Sequence, residues 1–172
     1  MGHRAAGPRR DAVRGGALNR LAATPSQTVG PFFSIGLPYD AGPFAVPEGE
    51  PGAIVISGSV TDGDGAPVPD ALIEMWQVDP RELFARASCE ERHGSYEIRT
   101  LAPGGSKPWI DVSVFARGLL HRVVTRIYLD ESDVPEFVPA GRRDTLLAEP
   151  TTDGLRFDIR LQGPGETVFF DV

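Results

Sequence analysis

Sulfur is almost missing from this chain. Cys89 is the single cysteine among 172 residues, so no internal disulfide can form and no thiolate cluster can hold a metal. Histidine is nearly as scarce: His3, His93 and His121 are scattered at spacings that match no metal site. No apolar stretch approaches the ~18 residues of a membrane span, and the N-terminal segment lacks the apolar centre of a secretion signal. These absences lead us to expect a cytoplasmic protein that binds no metal through its own side chains. The G-x-S-x-G elbow, the P-loop and the dinucleotide fingerprint are missing too. Asp62, Asp64 and Asp70 imitate part of a calcium loop, but Pro67, Pro69 and the lack of a closing Glu break the pattern, leaving a turn. Cys89 and His93 could form an activated thiolate pair. The run from Ala87 to His93 is polar and gives them no apolar frame, so Cys89 reads as an inert loop thiol.

Glycine and proline are plentiful, 20 and 16 residues, below the range of low-complexity chains but enough for many turns between short strands. The length suits one domain with a core of its own. Net charge is −7, unevenly spread: residues 1–22 hold five arginines against Asp11 alone, and the remainder is strongly acidic. An acidic body excludes nucleic acid as the main ligand, because phosphate neutralisation needs clustered Lys and Arg. Residues 1–23 are expected to be a disordered leader.

Residues 24–52 carry too many Pro and Gly for a helix in their first part and read as an extended arm. The apolar Val29, Phe32, Phe33 and Ile35 of this arm need cover from another surface. From residue 53 to 172 the pattern is that of strands. Ala53–Thr61, Ala71–Val78 (with Trp76 expected in the core), Gly94–Leu101, Trp109–Ala116 and Arg122–Leu129 follow one another. Leu155–Leu161 alternates four apolar residues with three charged ones, which predicts an antiparallel strand with one wet face. Glu166–Asp171 closes the set, residues 79–94 read as a loop, and Arg142–Ala148 is the only expected helix. About seven short strands between turn signals predict an all-β, two-sheet antiparallel sandwich with an extended N-terminal arm and at most one short helix.

Arg126 is the most informative residue. It lies mid-strand among Val123, Val124, Ile127 and Tyr128, where a charge needs compensation. Two readings stand side by side: an ion pair with a carboxylate such as Asp111 or Asp158, or a guanidinium facing an anionic ligand at a partner's site.

Four segments together resemble one family: Thr24–Phe33 (TPSQTVGPFF), Gly58–Gln77 with its DGDGAPVPDALIEMWQ core, Val112–Leu120 (VSVFARGLL) and Arg156–Asp171 (RFDIRLQGPGETVFFD). In this order they are similar to the intradiol ring-cleaving dioxygenases, and within them to protocatechuate 3,4-dioxygenase alpha chains. The resemblance runs from about Thr24 to the C-terminus. It implies a β-sandwich of mixed topology and participation in O2-dependent cleavage of 3,4-dihydroxybenzoate to 3-carboxy-cis,cis-muconate. It also implies Fe(III) held by two Tyr and two His of a partner beta chain. The positions matched to those ligands hold Phe84, a shortened Pro103–Ser106, and Trp109-Ile110-Asp111, so no metal ligand and no catalytic residue is expected in this chain. By the same match, Thr28, Gly30, Pro31 and Arg126 are expected to line the substrate cavity shared with the beta subunit in a larger hetero-oligomer. Phe32 stands where the family's alpha chain usually has Tyr, and the 79–94 and 104–107 segments look short. The rival reading is a non-enzymatic, transthyretin-like binding module; a self-sufficient intradiol enzyme is opposed by the missing ligands.

Overall fold

The structure, a computed structural model, describes residues 23–172, so the expectation of a disordered leader falls almost wholly outside the described residues. Nine strands form two sheets. They are β1 (Ala53–Thr61), β2 (Leu72–Gln77), β3 (Leu83–Ser88), β4 (Ser95–Leu101), β5 (Trp109–Phe115), β6 (Val123–Tyr128), β7 (Glu149–Thr151), β8 (Gly154–Arg156) and β9 (Ile159–Arg160). The first sheet runs β4-β1-β8-β7, with β9 also on β1; the second runs β3-β2-β5-β6. The predicted sandwich is what forms. Ile56, Val60, Tyr96 and Ile98 of the first sheet pack against Ile73, Met75, Ile110, Val112, Val114 and Ile127 of the second. Among the described residues no helix is long and apolar enough to cross a membrane.

The segment 155–161 departs from expectation. It breaks into β8 and β9, and both run parallel to β1, while only β7 meets β8 antiparallel. The break lies at Phe157 and Asp158, where side chains replace the ladder. Asp158 Oδ1 accepts from Ser59 N and Ser59 Oγ, each at 2.8 Å, and the buried Tyr96 hydroxyl donates to the Phe157 carbonyl at 2.6 Å. Gly58 is required here because a Cβ on it would lie 1.8 Å from the Phe157 carbonyl oxygen. The charged face of the segment stays wet as predicted: Phe157 and Ile159 are buried, and Arg156 and Asp158 are exposed.

Four further expectations are corrected. Trp76 is 44% exposed, because β2 turns Met75 and Gln77 to the core and Trp76 to the other face. Gln77 tolerates burial because Thr100 Oγ1 donates to it and its own amide donates to the Asp79 carbonyl at 3.0 Å. Residues 79–94 are not all loop: Leu83–Ser88 is β3, antiparallel to β2, with Ala85 and Ala87 as its inward set. The helix expected at 142–148 is a 3-10 segment, Ala140–Leu146, whose Thr145 hydroxyl bonds back to the Arg142 carbonyl three residues earlier. Glu166–Asp171 forms no regular strand, yet Phe170 N donates to the Val124 carbonyl and lays the C-terminus along β6.

The arm has no regular secondary structure over residues 23–30, then makes one helical turn, α1 (Phe33–Gly36). Its later part is not free. Gly42 O accepts from Arg86 N of β3, and Pro43 O and Ala45 N bond Arg99 of β4. One segment thus covers the edge strands of both sheets, which would otherwise offer unpaired backbone groups.

The junction at Phe157 sets a stability test. Tyr96→Phe leaves a buried carbonyl without its donor and should cost about 1–3 kcal/mol. Gly58→Ala forces the two chains apart and should cost more, about 3 kcal/mol or above. Urea unfolding of the two variants checks both the size and the order.

Candidate active-site face

Register places four side chains in one row across the outer face of the second sheet. Phe84 of β3 pairs with Trp76 of β2, Trp76 with Asp111 of β5, and Asp111 with Arg126 of β6. Strand alternation explains the row: Ile110, Val112 and Ile127 point to the core, so Trp109, Asp111 and Arg126 point outward. Arg126 Nε donates to Asp111 Oδ1 at 2.9 Å, and Trp109 Nε1 donates to the same oxygen at 3.2 Å. The guanidinium lies 4.7 Å from the Trp109 ring centroid and 4.9 Å from that of Phe170, in contact with two aromatic rings. Burial works against its charge, but the adjoining Tyr128 hydroxyl and the Asp111 carboxylate outweigh this and keep Arg126 protonated. Of the two carboxylates foreseen for Arg126, Asp111 is the partner; Asp158 pairs with Arg156 at 2.7 Å.

The arm residues singled out from the sequence lie elsewhere in this chain. Thr28 Oγ1 accepts from Gly118 N at 2.8 Å, tying the arm to the turn between β5 and β6. Arg126 is three residues into β6 from that end, roughly 10 Å along the strand. Gly30 and Pro31 are exposed, and a Cβ on Gly30 would meet nothing within 4 Å. Among the described residues no hydrogen bond or ion pair joins Thr28, Gly30 or Pro31 to Arg126. A cavity of about 780 Å³ lies away from both, between the arm and β3. Its arginines are already paired, Arg86 with Glu74 at 2.6 Å and Arg92 with Glu97 at 3.2 Å, and Asp40, Glu90 and Glu91 also line it, so it offers no unpaired positive charge to an anionic ligand. Sequence reasoning missed Trp76, Trp109 and Phe170 as parts of the Arg126 face. The period-2 alternation held the signal for Trp109; nothing local held it for Phe170, which arrives from the C-terminus.

A family model described as Dioxygenase matches residues 28–163, most of the chain. The chain belongs to the intradiol dioxygenase family. It is 34% identical to the protocatechuate 3,4-dioxygenase alpha chain of Burkholderia cepacia, over 90% of this chain and 100% of that one. It is 29% identical to the beta chain from the same organism, over 76% of this chain and 74% of that one. Among solved structures, the dioxygenase domain of a dioxygenase–carbohydrate-binding fusion from Streptomyces sp. SirexAA-E superimposes with a TM-score of 0.52. That match has 22% identity and covers 71% of this chain and 88% of the other, and it supports the fold alone.

The intradiol dioxygenase family depends on Fe(III), and the donors on this face do not fit that ion. Phe84 and Trp76 have no lone-pair donor, and the indole of Trp109 only donates. Asp111 is the one anionic oxygen donor in the row, and its Oδ1 already serves Arg126 and Trp109. A guanidinium 2.9 Å from that oxygen repels a cation. The segments that looked short meet each other directly: Asp79 accepts from Ser106 N at 2.9 Å, Ser106 Oγ at 2.8 Å and Lys107 N at 3.2 Å. The Ser106 hydroxyl bond is the main cause holding the Asp79 carboxyl below its usual range.

Cys89 is corrected from a loop thiol to a core residue, fully buried where β3 ends, with its N–H on the Ala71 carbonyl. Burial first, then the Asp70 charge, pushes its thiol up to about 12. His93 is exposed in a turn with positive φ and makes no hydrogen bond to it. The thiol therefore stays protonated, and labelling by a disulfide reagent at pH 8 should be slow in the folded protein and fast in denaturant. Rapid labelling of the native chain would contradict the burial.

Proposed function

We propose that this chain is the non-iron-binding alpha subunit of a cytoplasmic protocatechuate 3,4-dioxygenase. With a beta subunit it would cleave 3,4-dihydroxybenzoate with O2 to 3-carboxy-cis,cis-muconate, inside a larger hetero-oligomer. The observation that carries this reading is the pairing of end-to-end similarity to an alpha chain with a face that lacks ligands for iron. A fold built for this chemistry, without donors of its own, has to share a site supplied by another chain. The resemblance implies the partner's chemistry: a beta-type chain, of the kind this chain is also similar to, would hold Fe(III) on hard phenolate and imidazole donors, and that ion would activate a chelated catechol toward O2.

In this reading Thr28, Gly30 and Pro31 lie along the partner's substrate cavity, and residues 24–52 pack on the partner. Support comes from exposure. Phe32 is 76% and Ile35 69% exposed, and both follow directly on the open backbone at Gly30. The anchor at Gly118 fixes where the arm leaves the sandwich, so its tip is presented rather than loose. Arg126 supplies the positive charge that selects a substrate carboxylate. Family membership argues against a non-enzymatic, transthyretin-like module.

Co-expression with a beta-type partner tests the reading. The expected result is a coloured, iron-containing complex that consumes O2 with protocatechuate, against a colourless isolated chain. Tyrosinate-to-iron absorption in the isolated chain would overturn it. Arg126→Ala in the complex should raise KM for protocatechuate about ten-fold or more while moving catechol, which lacks the carboxylate, by less than about three-fold. Equal losses would leave Arg126 a purely structural residue.

A further inference from the structure

The Arg126 guanidinium has close neighbours that restrict it. Its Nε edge is taken by Asp111 Oδ1, and its central carbon lies over the Trp109 ring at 4.7 Å and the Phe170 ring at 4.9 Å. The two terminal nitrogens make no ion pair with the described residues; the neutral Tyr128 hydroxyl adjoins the group, and the side chain keeps 24% exposure. A guanidinium is a rigid planar fork, so holding Nε on Asp111 and packing the group against two rings also sets the direction of the remaining edge. Asp111 is itself held, because Trp109 Nε1 donates to the same oxygen. We infer that Asp111 is a positioning residue, which with its Trp109 tether aims the open fork of Arg126 at a carboxylate on the bound substrate. This rests on reading Arg126 as substrate-facing. It adds that two outward positions of β5, matched to metal ligands elsewhere in the family, here hold the specificity arginine in place.

A competing effect runs the other way. Asp111 is an anion close to where a second carboxylate would bind, so deleting it also removes repulsion. Preorganisation and charge thus predict opposite signs. A loose arginine has to give up rotamer freedom on binding, whereas a braced one has already done so. Asn separates the effects, since its side-chain oxygen still accepts from Nε and Nε1 but carries no charge.

The test uses the assembled complex with its beta-type partner, protocatechuate and catechol as substrates, and iron content and melting temperature recorded for each variant. Asp111→Ala should raise KM for protocatechuate roughly five- to ten-fold with kcat within about two-fold, and catechol should move by less than about two-fold. Asp111→Asn should stay within about three-fold of the parent. Asp111→Ala on top of Arg126→Ala should add nothing, because the group it positions is gone. Trp109→Phe keeps the ring and removes only the tether; a rise of about two-fold is expected, and it serves should Asp111→Ala fail to assemble. Tighter protocatechuate binding in both Asp111 variants would show that charge dominates and would overturn the inference. Equal changes for both substrates, or none, would overturn it as well. If Arg126→Ala is selective while Asp111→Ala is silent, only the positioning role falls. If Arg126→Ala is itself unselective, the positioning role falls together with the reading of Arg126 on which it rests.

Discussion

A positive charge midway along a β-strand must be compensated, and the compensation of Arg126 organises the second sheet. Its strand neighbours Thr125 and Ile127 face the core, so the guanidinium has to find its counter-ion on the outer face. Asp111 stands directly opposite in the antiparallel register, and the rings of Trp109 and Phe170 close over the pair. The same contacts that make the charge tolerable remove the one carboxylate that a metal could have used. Structural pairing and the poor fit of this face to iron are therefore two consequences of one interaction.

The rest of the fold keeps that face open. The first sheet is locked at the Phe157 junction, and the arm covers the outer edges of β3 and β4. The C-terminal segment then lies on β6, where Thr125 Oγ1 donates to the Val168 carbonyl and brings Phe170 over Arg126. The outer edges of β3, β4 and β6 are thus occupied by this chain's own backbone, and large apolar side chains stay exposed, among them Phe32 and Ile35 on the early arm. Those edges are satisfied internally, and apolar surface is left over. That division suits a subunit whose remaining contacts are with another chain.

Much of this was legible in the sequence, for reasons that can be named. Period-2 alternation placed β1, β4, β5 and β6 correctly, and the Arg126 pairing was foreseen because a mid-strand charge admits few solutions. What failed had non-local causes. Trp76 looked like a core residue, but Gln77 takes the core side because Thr100, from a different sheet, satisfies it. β3 was hidden because its inward residues are two alanines, too small to mark an apolar face. The parallel pairing of β8 and β9 depends on the Asp158–Ser59 and Tyr96–Phe157 contacts, nearly a hundred and about sixty residues apart in sequence. The site residues divide the same way. Arg126 announced itself by its strand context, whereas Thr28, Gly30 and Pro31 rest on motif resemblance, since a short exposed arm carries no packing signal.

The central claim is that the outer face of the second sheet directs a fixed guanidinium at a site whose metal belongs to another subunit. A structure of the complex with its beta-type partner and bound protocatechuate tests this most directly. The account predicts a ferric ion held only by the partner's side chains, with the terminal nitrogens of Arg126 on the substrate side of the interface and Asp111 still on its Nε. A metal coordinated by Asp111, or an Arg126 facing away from the substrate cavity, would contradict it.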